Sequence, residues 1–84
     1  MPPRRKSRPR SAEHAALGEA VRRLRLEAGM SQEQLADRIG SDFTLIGGVE
    51  RGVGNPNYDT LVSIATGLGT TVGAIAALAD ELQS

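Results

Sequence analysis

From Ser31 to Gly52 the chain runs twice through one pattern: a capping residue, a short apolar stripe at helical spacing, then a glycine. Ser31 opens the first pass, and Gln34 stands three residues on, at capping-box spacing. Leu35, Ala36 and Ile39 form the apolar face, and Gly40 permits the left-handed backbone that closes a helix. Only Ser41 separates Gly40 from Asp42, which caps the second pass through Leu45, Ile46 and Val49 to Gly52. So short a link holds two short helices at a fixed angle, a helix-turn-helix unit whose second helix can enter a DNA major groove.

The flanks supply the rest of one small core. Ser11 caps a helix with Leu17, Val21, Leu24 and Ala28 on its apolar side, ended by Gly29. Its other face carries Glu19 three and four residues before Arg22 and Arg23, a solvent-facing pattern. After a loop at Val53-Gly54-Asn55-Pro56, Asn57 caps a fourth helix through Leu61, Ile64, Ala65 and Leu68. Gly67 and Gly69 end it. Thr70 or Thr71 then caps a fifth, with Val72, Ile75, Ala76, Ala79 and Leu82 on its stripe. No period-two alternation marks a strand. The expectation is an all-α, five-helix domain over residues 11–84. In 84 residues with 2% aromatics, its core must be built from Leu, Ile, Val and Ala.

The formal charge of zero hides a division. Residues 1–10 carry Arg4, Arg5, Lys6, Arg8 and Arg10 with no acid, while the remainder sets five arginines against all ten acids, a net −5. Three prolines among those cations leave too little apolar surface to offset ordering, so residues 1–10 read as a disordered basic arm suited to a polyanion. With no cysteine and the single His14, neither a metal site, a cofactor nor a nucleophilic enzyme is expected. Gly67-Leu68-Gly69 lacks the spacing of a phosphate loop. Neither a signal peptide nor a membrane-spanning run is apparent, so the reading is cytoplasmic, nucleoid-associated, with no membrane partner.

The run Gly29-Met30-Ser31-Gln32-Glu33-Gln34-Leu35-Ala36, then Gly40, Val49-Glu50-Arg51-Gly52, Asn55-Pro56 and Leu61, resembles the Cro/cI-type (XRE family) helix-turn-helix regulators of phages and bacteria. The resemblance spans roughly residues 17–79. It implies a lambda-repressor-like domain acting as a homodimer on double-stranded DNA at a palindromic operator, with half-sites about 34 Å apart. It also implies that Gln32 donates to a phosphate, that the positions of Phe43, Thr44, Gly47 and Gly48 meet base edges, and that Arg51 and Asn55 approach the backbone. Arg25 and Glu50 would form a structural ion pair.

The departure from the pattern lies where DNA should be read. Base discrimination needs donors and acceptors, and among Phe43, Thr44, Leu45, Gly47 and Gly48 only Thr44 supplies a hydrogen-bonding group. Two glycines in a short helix cost about 1 kcal/mol each, so either the backbone makes a close approach to DNA or a partner, or the packing tolerates them. Ser41 stands where the family has an apolar residue. Phosphate contacts from the arm would raise affinity more than specificity. The expected function is a sequence-specific transcriptional regulator, a repressor or a protein similar to restriction–modification controllers. The alternative is a protein-interaction module or antitoxin with a protein partner. Ile75, Leu78 and Leu82 are the expected dimer contacts, and no small-molecule ligand is expected.

Overall fold

The computed structural model describes residues 8–84; Arg4, Arg5 and Lys6 of the expected arm lie outside the described residues. Five α-helices follow in order: α1 (Ala12–Glu27), α2 (Gln32–Ile39), α3 (Phe43–Glu50), α4 (Tyr58–Leu68) and α5 (Val72–Gln83). The described residues contain no strand.

Local chemistry sets the boundaries. The side chains of Ser11, Ser31, Asp42, Asn57 and Thr71 each accept the backbone N–H three residues on, relieving one orphan donor per helix. At Ser31 the reciprocal bond also forms, with Gln34 Oε1 accepting the Ser31 N–H at 2.8 Å. Gly40, at φ 69°, closes α2: Ser41 N–H donates to Ala36 O (2.9 Å) and Gly40 N–H to Asp37 O (3.3 Å). Ser41 is half-buried in this turn.

Leu35, Ile46, Ile64, Ile75 and Val21 are the largest fully buried side chains, one from each helix. That shared core fixes α3 relative to the other four helices. Four expected stripe residues fall outside it: Ala28 is the exposed C-cap of α1, Ala76 faces solvent, Leu45 is exposed on α3, and Leu61 is half-buried away from the cluster. Ile75 is a correction of another kind. It is 1% exposed within its own chain, so it belongs to the core and presents nothing to a second copy. Leu78 and Leu82 are half-buried against the same cluster.

α1 packs most extensively on α5 and next on α3. The α1–α3 crossing is close because of Gly18, where any Cβ would overlap the carbonyl oxygens of Val49 and Glu50. Among the described residues, no single helix is long and apolar enough to cross a membrane.

Candidate nucleic-acid interface

A buried charge network holds α3. Arg25, on α1, donates through Nε to Glu50 Oε2 (2.6 Å) and through Nη2 to Glu50 Oε1 (3.0 Å), and its Nη1 donates to the Met30 carbonyl (2.8 Å). The expected structural pair therefore forms as a bidentate contact, with side chains 9% and 4% exposed. The bonds to Glu50 raise the Arg25 pKa above its usual value. Gln32 joins the network, its amide Nε2 donating to Glu50 Oε1 at 3.0 Å. One hydrogen of the Gln32 amide is thus directed inward, and the other is left for an outside acceptor.

The outer face of α3 is apolar and largely bare. Phe43 is 54% exposed and Leu45 37%, with Thr44 exposed between them. Leu45 was read both on the core stripe of α3 and among the residues facing DNA, and its exposure puts it on the outer face. The glycines acquire a specific explanation. A Cβ at Gly47 would come 3.0 Å from Arg51 Nη1 and 3.7 Å from Gln32 Oε1, so the Arg51 guanidinium occupies the space of the missing side chain. Gly47 is buried under those two side chains.

At Gly48 the close approach is made by the chain itself. Its carbonyl accepts the N–H of Val53 (3.1 Å) and of Gly54 (2.9 Å), which draws the following loop against the helix. A Cβ on Gly54 would stand 3.2 Å from Gly48 C and Val49 N. The result is a shallow groove of about 250 Å³ beside α3, lined by Thr44, Leu45, Gly48, Gly54, Asn55 and Pro56.

The loop is fastened from the other side by the segment before α1. Arg10 N–H donates to Gly52 O, and Arg10 Nε to Val53 O, both at 2.9 Å. His14 Nε2 lies 3.2 Å from Asn55 Oδ1. Arg10 is thus bound to the domain although it falls within the expected arm. Neither contact was legible in sequence, because their partners lie about forty residues away. Among the described residues no group of His, Cys, Asp and Glu could hold a metal ion.

A short-linked helix pair with an exposed second helix, flanked by Gln32, Arg51 and Asn55, is the arrangement of a helix-turn-helix domain. The helix-turn-helix family matches residues 21–75, and the chain belongs to that family, of the XRE type. It is a DNA-binding transcriptional regulator. The fold is similar to the restriction-modification controller protein C.AhdI from Aeromonas hydrophila, at 35% identity over 77% of this chain and 98% of that one, TM-score 0.76. The controller protein C.Esp1396I is 32% identical over 88% and 99%, TM-score 0.77. The clp gene regulator ClgR from Corynebacterium glutamicum is 25% identical over 86% and 94%, TM-score 0.81. No curated protein matches the chain. Family and structural neighbours are regulators rather than enzymes.

Proposed function

We propose that the chain acts in the cytoplasm as a homodimer on a palindromic operator, each copy placing α3 in a major groove, and that it regulates transcription without catalysis, cofactor or small-molecule ligand. The observation that carries this reading is the exposed tip of α3 on a helix-turn-helix frame, bordered by Gln32 and Arg51 together over Gly47 and by the loop carrying Asn55 beside Gly48. In this arrangement Gln32, Arg51 and Asn55 address phosphates and set the register. Thr44 supplies a hydrogen bond to a base edge, Phe43 and Leu45 pack on thymine methyls, and the bare Gly48 lets the helix sit close. The likeness to C.AhdI and C.Esp1396I supports a controller-like role.

For the second copy, the depression between α4 and the start of α5, lined by uncharged side chains, is the better candidate. Tyr58 is 68% and Val62 38% exposed there, and Val72 and Gly73 also line it. Leu78 and Leu82 contribute only their exposed edges.

Selection of genomic fragments at about 150 mM salt tests the reading. Recovery of a palindrome with half-sites about 34 Å apart supports it. Unselective recovery would favour the second reading, a protein partner on the apolar α3 face of Phe43 and Leu45, and would leave only phosphate contacts to nucleic acid.

A further inference from the structure

We propose that His14 is a positioning residue for DNA binding: it holds the Asn55 side chain with its amide hydrogens turned outward, toward a phosphate. The proposal rests on the reading of Asn55 as a neighbour of the DNA backbone.

The argument follows the hydrogens. Ser11 Oγ accepts the backbone N–H of His14 at 3.0 Å as the cap of α1, which leaves its hydroxyl hydrogen to donate. His14 Nδ1 lies 2.7 Å from that oxygen, and Nε2 lies 3.2 Å from Asn55 Oδ1. An amide oxygen only accepts, so the tautomer with hydrogen on Nε2 is the one that completes both contacts, with Nδ1 accepting from Ser11. The chain of bonds then has one direction, from the α1 backbone through Ser11 and His14 to Asn55 Oδ1. It ends on the Asn55 Nδ2 group, whose hydrogens are its remaining donors.

Orientation decides whether an exposed asparagine attracts or repels an anion. With Oδ1 outward it opposes a phosphate with a partial negative charge; with Nδ2 outward it donates. His14 fixes the second arrangement and removes rotamer freedom that binding would otherwise have to remove. The rest of the loop is held by the Arg10 bonds to Gly52 and Val53 and by the Gly54–Gly48 bond, so Asn55 keeps a constant place relative to α3. His14 is half-buried and lies outside the apolar core cluster.

Two substitutions separate this role from helix capping. Glutamine reaches about as far as Nε2 and keeps a donor for Asn55, whereas asparagine reaches only the Nδ1 position beside Ser11. With the full chain and a mixed-sequence duplex as probe at about 100 mM salt, Asn55→Ala should weaken binding about tenfold. His14→Ala should weaken it about three- to tenfold, His14→Asn equally, and His14→Gln little. In the Asn55→Ala background, His14→Ala should have no further effect, with circular dichroism reporting each variant folded at the assay temperature. Equal binding of the Gln and Asn variants, or an undiminished His14→Ala loss in the Asn55→Ala background, would overturn the proposal. A normal Asn55→Ala variant would instead remove the phosphate reading of Asn55, and His14's role with it. A loss at Asn55 with none at His14 removes only the latter.

Discussion

Glu50 accepts three hydrogen bonds on its two carboxylate oxygens, two from Arg25 and one from Gln32, inside the α1–α3 junction. Removing its charge leaves a guanidinium buried without a counterion. Glu50→Gln is therefore expected to lower stability by about 3–5 kcal/mol in urea unfolding. The Arg25→Met, Glu50→Leu double variant should lose less than Glu50→Gln, since it leaves no unpaired charge. Glu13 gives a pH dependence of its own. Its pKa is held below 4.5, first by a bond to its own backbone N–H and further by Gln83. A folded-state value below the unfolded one means the stabilisation is present above the unfolded pKa and is lost as pH falls through the folded value. The melting temperature of Glu13→Gln should thus change less than the parent's from pH 4.5 downward. An identical acid limb in the two proteins would show that Glu13 does not couple to folding.

Among the elements, α3 is the one whose sequence was hardest to interpret. Its start at Asp42 and its end before Gly52 were legible because capping is a matter of three or four residues. The meaning of Gly47 and Gly48 was not, because it depends on where Arg51 and Gly54 fold back. The same limit applied to Leu45, placed inward by its spacing and found exposed, and to the partner of His14. Helix N-caps were read correctly, with Thr71 rather than Thr70 serving α5. Two alanine substitutions distinguish the kinds of glycine. Gly48→Ala meets only ordinary contact with Gly54, so the gain in helix propensity should stabilise the protein by up to about 1 kcal/mol. Gly18→Ala drives a methyl into backbone carbonyls that cannot rotate away, and should cost about 1–3 kcal/mol or more. Thermal unfolding of the two variants checks both signs, and stabilisation of both would mean that α1 and α3 separate easily.

At the scale of the molecule, charge and surface are divided: five cations stand in residues 1–10 and all ten acids in the rest. Because Arg10 fastens the α3–α4 loop, the informative deletion is residues 2–8, which removes four cations and spares that contact. The log–log salt slope of DNA binding should fall by up to about 3.6, from about 0.9 per charge. An unchanged slope would place those cations away from phosphate. For the second copy, Tyr58→Glu alters an exposed residue at the start of α4 and should give a folded monomer in sedimentation; a persistent dimer would move the interface elsewhere. The heavy packing of α1 on α5 also bears on how the protein is made. At about 5–20 residues per second, α5 is completed roughly 3–11 s after α1. Throughout that interval the first helix off the ribosome lacks its main partner, while the α2–α3 pair already has its short-range contacts. A chain truncated before Val72 therefore lacks the main partner of α1, and the apolar face of α1 is covered only once α5 is free to dock.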